Sequence, residues 1–298
     1  MSPVEKNEEG KPVWRRRGRR EALFHWLTTL GIAAVILWCF KLIADETTWE
    51  FVWSAPEQGA DLGSRMFLPE WFVDIPQLRE DGELWSHTID FLRERGAYAL
   101  ELMGPLVDTI HIATLGTVLG VMIASPLAFL AAKNTTPSER FVRPVALMAL
   151  VASRSVNSLI WALLLVFILG PGMLAGILAI ALRSVGFCGK LLFESIEEID
   201  ETTRSAIEST GAGPLQVMTF GVIPQIAPAF AGISVYRWDI NIREATILGL
   251  VGAGGIGVAL QDSIDTLAWG QVSVIFLAIL GTVVLSEWVS AKARGAVT

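Results

Sequence analysis

The stretch "LMGPLVDTIHIATLGTVLGVMIASPLAFLAA", from Leu102 to Ala132, decides the fold class. It contains a single formal charge, on Asp108, and is longer than the ~20 mostly apolar residues that a helix needs to cross a bilayer. Five further runs outside it are also long and apolar enough: roughly Leu23–Ala44, Pro144–Leu169, Met173–Leu192, Ile226–Val251 and Val272–Val289. The sequence therefore predicts an all-α membrane protein with about six transmembrane helices.

The composition of the whole chain supports this prediction. Of its 298 residues, 52% are hydrophobic and 18% are charged, and the mean hydropathy is +0.52. Soluble domains carry about 25% charged residues. The net charge of −7, without a basic face, gives no sign of a nucleic-acid partner. Cys39 and Cys188 lie in separate apolar runs, so we interpret them as small buried hydrophobes, and no metal site is expected.

The charged segments indicate an orientation. Five arginines lie within residues 15–20, directly before the first run. A nucleic-acid or lipid-headgroup patch is the alternative interpretation, but beside a membrane span a cytoplasmic anchor is favoured. Residues 1–22 are thus expected to form a basic cytoplasmic tail. Residues 23–100 would contain the first transmembrane helix and an acidic periplasmic segment at 45–98, rich in tryptophan. Six crossings would place both termini in the cytoplasm and the spans in membrane lipid.

The glycine-rich stretch "GAGGIG" begins at Gly252 and fits the dinucleotide-binding spacing G-x-G-x-x-G. A dinucleotide site also needs a strand before the turn and an acidic residue ~20 positions after it. Asp262 and Asp265 come too early, and the stretch follows a predicted membrane span. We therefore expect its glycines to allow a change of chain direction and a close backbone approach, without a nucleotide: Gly252, Gly254, Gly255 and Gly257.

Residues 193–224 form the longest loop on the predicted inner side. The spacing predicts a helix that is broken at Gly211, Gly213 and Pro214, followed by a second short helix up to Pro224. A helix–turn–helix at a membrane surface is consistent with a docking element. On these grounds alone, a passive connector is an equally good interpretation.

The loop resembles the coupling-helix motif of bacterial ABC-importer permeases, E-A-A-x-x-x-G-x9-I-x-L-P. Ala206, Gly211 and Pro224 stand at matching positions, and Ile223 replaces the usual Leu. The resemblance implies that this loop contacts a cytoplasmic ATPase subunit.

The loop also departs from that motif. Ser205 replaces the Glu of the motif, and Gly221 replaces its Ile. Glu208, one helical turn later, is the candidate for the missing charged contact. The residues expected to couple to the ATPase are therefore Ser205, Ala206, Glu208, Gly211, Ile223 and Pro224.

Three stretches resemble one branch of this family, the phosphonate-importer permeases of the PhnE type: Leu127–Pro137, Thr210–Pro228 and Arg237–Gly257. The resemblance implies a type I ABC importer permease fold with its core in residues 101–298. It also implies a homodimer in the bacterial inner membrane that moves a phosphonate-type oxyanion inward. In such permeases the glycine-rich stretch closes a pore-lining helix near the outer mouth.

The same resemblance implies the partners, which are two cytoplasmic ABC ATPase subunits and a periplasmic substrate-binding protein. The chain has no G-x-x-x-x-G-K-[ST] loop, so it is expected to bind no cofactor and to be no enzyme itself. ATP and Mg²⁺ would be bound by the partner ATPase.

Polar residues inside the predicted spans are candidates for the substrate path, because a charge at the bilayer centre costs about 2.5–3.5 kcal/mol. Asp239 and Arg243 are four residues apart and are expected to pair. Arg237 is expected to face the two-fold axis of the dimer, where its planar fork suits an oxyanion. The alternative is that these groups pair with each other and hold helices together. The candidate path residues are Arg154, Asn157, Arg183, Arg237, Asn241 and Arg243.

Other functions remain open on the sequence alone. The same architecture could carry phosphite, phosphate, a cationic metabolite or another small solute. A membrane enzyme is disfavoured, because the sequence shows no nucleophile–base set and no metal cluster. A receptor or assembly subunit without transport is the third alternative.

Overall fold

The computed structural model describes residues 19–67 and 84–297, and every regular element in these two ranges is helical. A π-helical turn, Met218–Val222, and a 3₁₀ turn, Gly249–Val251, flank the long helix Ile223–Leu248. The α-helices are α1 (Arg19–Glu46), α2 (Trp49–Phe67), α3 (Leu84–Glu101), α4 (Met103–Ala131), α5 (Val142–Ser155), α6 (Ser158–Leu169), α7 (Met173–Glu197), α8 (Glu201–Ser209), α9 (Pro214–Val217), α10 (Ile223–Leu248), α11 (Ile256–Asp265) and α12 (Trp269–Val297).

Contacts within the chain divide it into two units, residues 1–61 and 62–298. The first unit contains α1, which holds the predicted first span, and most of α2. The apolar window of α1 has no residue buried inside the chain. Most of the predicted basic tail, including Arg15, Arg16 and Arg17, lies outside the described residues.

The predicted acidic segment at 45–98 is largely helical where it is described. Its described part comprises the last two residues of α1, all of α2 and most of α3. Residues 68–83, which include Trp71 and five acidic residues, lie outside the described ranges. Helix α3 continues into α4 across Leu102, so that Trp85–Ala131 forms one long helical stretch that contains an apolar span.

Five stretches of the described residues are long and apolar enough to cross a membrane, and a bent helix pair makes a sixth. The prediction of an all-α membrane protein with about six spans is therefore confirmed. The five stretches are Leu23–Glu46, Trp85–Ala131, Met173–Glu197, Pro214–Val251 and Trp269–Gly295.

The third predicted span, Pro144–Leu169, was wrong as a single helix. It consists of α5 and α6, which meet at an angle of 87°. Val156 and Asn157 are extended between them, and the Asn157 side chain accepts a hydrogen bond from the Leu159 amide. Asn is a strong N-cap residue, because its side-chain oxygen satisfies an amide that a new helix leaves without a partner. The apolar run therefore continues through a break in the helix.

The core of the second unit is built on the contact between α4 and α7. Gly116 and Gly120 let the two backbones approach closely: a methyl group on Gly120 would lie 2.5 Å from Cβ of Ser184, and one on Gly116 would lie 2.7 Å from Cγ2 of Ile180. Small residues at helix contacts are typical of membrane proteins, where van der Waals packing drives association. Helices α6 and α10 complete this core through Ala162, Ile242, Ala245 and Leu248.

Candidate functional site

The break between α5 and α6 is held by an arginine from α7. Nη1 of Arg183 donates to Oδ1 of Asn157 at 3.2 Å and to Oγ of Ser158 at 3.2 Å. Arg183 therefore binds the first residues of α6. Arg154, at the end of α5, is exposed. Three candidate path residues, Arg154, Asn157 and Arg183, thus lie at or beside the break.

Arg183 also belongs to a cluster of charges with α10. Oε1 of Glu244 lies 3.5 Å from Nη1 of Arg183 and 3.4 Å from Nη2 of Arg237. The side-chain exposure falls along this line, from 30% for Arg183 through 16% for Glu244 to 2% for Arg237. Two guanidinium groups thus share one carboxylate, and the outer guanidinium is the accessible one.

We expected Arg237 to face an open path, but in this structure its side chain is enclosed. It is 1% exposed, its Nε donates to Oγ of Ser184 at 3.1 Å, and its guanidinium lies 5.0 Å from the centre of the Phe187 ring. The physical reason is that Glu244 lies seven residues further on the same helical face and neutralises it. Ser184 on α7 supplies a further acceptor. In this conformation Arg237 is an internal ion-pair residue.

Asn241 is likewise enclosed rather than lining a path. It is completely buried, and its Nδ2 donates to Oγ1 of Thr117 at 2.7 Å and to Oγ of Ser184 at 3.0 Å. These bonds connect α10 to α4 and α7. Ser184 thus accepts bonds from both Arg237 and Asn241, a role that nothing in its local sequence indicated. The seven-residue spacing of Arg237 and Glu244 was the signal that could have identified Glu244.

The predicted pair of Asp239 and Arg243 is confirmed. Nη2 of Arg243 lies 2.6 Å from Oδ2 of Asp239, and the Arg243 side chain is 49% exposed. The other carboxylate oxygen, Oδ1, accepts a hydrogen bond from Oγ of Ser286 on α12 at 2.9 Å. Asp239 therefore connects α10 to α12 through Ser286, a partner that no local pattern in the sequence indicates.

The predicted helix after α7 and its break are confirmed. The second helix does not end at Pro224, however, because α9, the π-helical turn and α10 follow one another without a break from Pro214 to Leu248. Asp200 caps α8 by accepting the Thr202 amide at 2.8 Å, and this bond and the one from the Thr203 hydroxyl lower the pKa of Asp200. Gly211 has a φ of +81°, a conformation that favours glycine. A side chain there would meet no atom within 4 Å, so the constraint comes from the backbone and not from crowding.

The surface of this segment is exposed. Ser205, Ala206, Glu208 and Pro224 are exposed, and Ile223 is 44% exposed. Glu208 pairs with Arg204 at 3.3 Å, while the Ser205 hydroxyl donates to the Glu201 carbonyl at 2.7 Å. The two large apolar side chains, Leu215 and Phe220, are 79% and 68% exposed.

The glycine-rich stretch turns the chain between α10 and α11. Gly252, Gly254 and Gly255 all have φ between +76° and +86°. A methyl group on Gly257 would lie 2.2 Å from the carbonyl oxygen of Thr246, so the two backbones touch. The Ile256 amide donates to Oγ1 of Thr109 on α4 at 2.8 Å. The flanking elements are helices, which excludes the strand that a dinucleotide turn requires.

Comparisons with known proteins match this architecture. The family described as "Binding-protein-dependent transport system inner membrane component" matches residues 116–290. The phosphite transport system permease protein PtxC of Stutzerimonas stutzeri is 42% identical over 190 residues, which are 64% of this chain and 69% of that protein. The phosphate-import permease protein PhnE of Mycolicibacterium smegmatis is 44% identical over 184 residues, 60% of this chain but 34% of that protein.

Solved structures agree on the fold. The inward-facing MetNI methionine ABC transporter aligns with a TM-score of 0.57 at 18% identity, covering 66% of this chain and 96% of that one. An amino acid ABC transporter crystallised with histidines aligns with a TM-score of 0.59 at 17% identity, covering 69% and 98%. The fold is that of type I ABC importer permeases. The chain belongs to the family of binding-protein-dependent transport system inner membrane components, and it is a multi-pass membrane protein.

Proposed function

We propose that this chain is the permease subunit of an ATP-driven importer that carries a phosphonate-type oxyanion inward. The names of its relatives, a phosphite and a phosphate permease, support an oxyanion with a phosphorus centre. The cargo is phosphonate, phosphite or phosphate, and competition between these anions for uptake distinguishes them.

The observation that carries the proposal is Arg183 at the helix break. Non-helical backbone at membrane depth is tolerated only where protein buries it or where it lines a water-filled cavity. In transporters, interrupted helices whose N-termini point at an anionic substrate are common. Here α6 begins at the break, and Arg183, 30% exposed, lies at its first residues. A planar guanidinium can bind two oxyanion oxygens at once.

The other candidate residues then divide into two groups. Arg154, Asn157 and Arg243 are exposed and line the path together with Arg183. Arg237 and Asn241 act from inside, because they hold α7 and α10 together behind Arg183. The cluster of two arginines and Glu244 attracts an anion without binding it tightly, as a transporter requires.

The family supports our inference of the remaining parts of the transporter. The permease works as a homodimer, with two ABC ATPase subunits against α8 and α9 and a periplasmic protein that delivers the anion. ATP and Mg²⁺ bind to the ATPase subunits and not to this chain. Both termini are cytoplasmic, and the glycine turn after α10 lies at the outer mouth of the pore.

The test compares Arg183→Ala and Arg183→Lys in proteoliposomes that contain the permease, its ATPase subunit and its binding protein. Uptake of phosphite, methylphosphonate and phosphate is measured. We expect Arg183→Ala to lower uptake of the carried anion at least tenfold while basal ATPase activity persists. Arg183→Lys should retain part of the uptake, because it keeps the charge but loses the fork.

The matched control is Lys190→Ala, which removes a cation from the same helix. Lys190 pairs with Glu194 at 3.6 Å and is 42% exposed. We expect normal uptake from this variant. Normal anion uptake by Arg183→Ala would contradict the assignment of Arg183, and uptake of cationic solutes alone would contradict the oxyanion proposal.

A further inference from the structure

Helix α2 begins directly where the first membrane-spanning helix ends. The apolar stretch of α1 runs from Leu23 to Glu46, and only Thr47 and Thr48 separate it from α2. Nε1 of Trp49 donates to the Ala44 carbonyl at 3.1 Å, which attaches the first residue of α2 to the last turns of α1. A span that ends at Glu46 ends at a bilayer surface, so α2 starts at that surface.

The side chains of α2 are sorted by polarity around the helix. At 3.6 residues per turn, all of its polar side chains fall within an arc of about 120°. The remaining arc is occupied only by apolar side chains and glycines, among them two tryptophans, Trp49 and Trp53. The polar arc consists of Glu50, Ser54, Glu57, Gln58, Asp61, Ser64 and Arg65.

The apolar face is exposed at its N-terminal half. The exposed fractions are 79% for Trp53, 65% for Phe51, 47% for Val52 and 44% for Trp49. Helix α2 is not among the helices apolar enough to cross a membrane. Its apolar face must therefore be buried by lipid or protein, and its polar face must be in contact with water.

We propose that α2 lies in the plane of the membrane interface, with its Trp49 and Trp53 face inserted between lipid headgroups and acyl chains. Amphipathic helices with large aromatic side chains bind in this way, and tryptophan is enriched at this depth. Covering this face with lipid requires no new partner, because α1 already holds α2 at the bilayer. With the cytoplasmic N-terminus proposed above, α2 lies on the periplasmic surface.

The charge of α2 identifies the kind of lipid contact. Glu50, Glu57 and Asp61 against Arg65 give the polar face a net charge of −2. Attraction to anionic headgroups therefore contributes nothing, and apolar burial together with the tether to α1 holds the helix in place. Insertion should be the same in zwitterionic and in anionic bilayers, and it should resist high salt.

The test places a nitroxide label at Val52→Cys or at Glu50→Cys, positions about 160° apart around the helix, near the middle of the apolar and polar arcs. The background is the full chain with Cys39→Ser and Cys188→Ala, in phosphatidylcholine nanodiscs with or without phosphatidylglycerol. We expect the label at 52 to be relaxed mainly by oxygen and the label at 50 mainly by the water-soluble nickel reagent. Neither ratio should change with phosphatidylglycerol or salt.

Two outcomes would overturn the proposal. Equal access of nickel to both positions would place α2 in water. A label at 52 that is immobile and shielded from both reagents would show that protein, and not lipid, covers this face. A second measurement needs no cysteine replacement. The fluorescence of Trp53, taken as the difference between the wild type and Trp53→Phe, should be quenched by brominated phosphatidylcholine. The result is independent of which solute is transported.

Discussion

Helix α10 carries two ion pairs that differ in their surroundings. Arg237 and Glu244 are 3.4 Å apart, with side chains that are 2% and 16% exposed. Arg243 and Asp239 are closer, at 2.6 Å, and the Asp239 side chain is 6% exposed, but that of Arg243 is 49% exposed. A pair with an exposed arginine contributes less, because water in the proposed path can stabilise that charge, whereas two enclosed charges depend on each other. We therefore expect enclosure, and not distance, to determine how much each pair contributes to the stability of the fold.

The largest effect is expected from Arg237→Ala. The substitution leaves a cavity beside Ser184 and Asn241 and deprives the half-enclosed Glu244 of its inner partner. Loss of one member of a buried pair costs about 3–5 kcal/mol, so we expect the folded permease to be recovered in low yield with a strongly lowered unfolding temperature. The measurement is thermal unfolding in nanodiscs.

The control for this variant is the double substitution Arg237→Met with Glu244→Gln. Removing both charges while keeping similar volumes should recover much of the lost stability. If Arg237→Ala unfolds at the wild-type temperature, then Arg237 is not an internal ion-pair residue.

Glu244→Gln should have the next largest effect. It keeps the shape of the side chain but leaves Arg183 and Arg237 facing each other without the carboxylate between them. Because Arg183 is 30% exposed, water can stabilise its charge, and we expect a loss of about 1–3 kcal/mol. Adding Arg183→Gln should restore part of the unfolding temperature. No recovery in that double variant would show that Glu244 does not link the two arginines.

The sequence predicted those features that depend on local spacing. The lengths of the apolar runs predicted the spans, and the spacing of four residues predicted the pair of Asp239 and Arg243. Gly211 and Pro214 predicted the break after α8. Each of these features is determined by residues that are near one another in the chain.

The sequence did not predict features that depend on distant residues. The partner of Arg183 at Asn157 requires the break between α5 and α6, and the apolar run through Leu169 conceals that break. The burial of Arg237 depends on Ser184, which reaches it only because α7 packs against α10. Periodicity gives the face of a helix, but it does not tell which neighbour covers that face.

A third substitution, Ser286→Ala, tests the inner side of the exposed pair. The buried Ser286 hydroxyl lies 2.9 Å from Oδ1 of Asp239, which is itself 4% exposed, and 2.9 Å from the Val283 carbonyl oxygen, so its one proton is shared between the two acceptors. A hydrogen bond to a charged group contributes about 1.5–3 kcal/mol. We expect a loss at the lower end of this range, because Arg243 still neutralises Asp239. The control on the same helix is Thr282→Val, whose hydroxyl bonds only the Ala278 carbonyl one turn earlier. Equal effects of the two substitutions would contradict a specific role for Ser286.

The smallest effect is expected from Arg243→Ala. Its guanidinium is half exposed, and beside the water-filled path that we propose an ion pair contributes about 0–1 kcal/mol that salt screens further. Asp239 keeps the hydroxyl of Ser286, so its carboxylate is not left without a donor. We therefore expect an unfolding temperature within a few degrees of the wild type, and a difference that shrinks at high salt.

Uptake separates the two roles of this residue. If Arg243 only pairs with Asp239, then uptake stays normal; if it also lines the substrate path, as we propose, then uptake falls while the unfolding temperature does not. A large loss of stability would instead show that this pair is as enclosed as that of Arg237, and the distinction between the two pairs would fail.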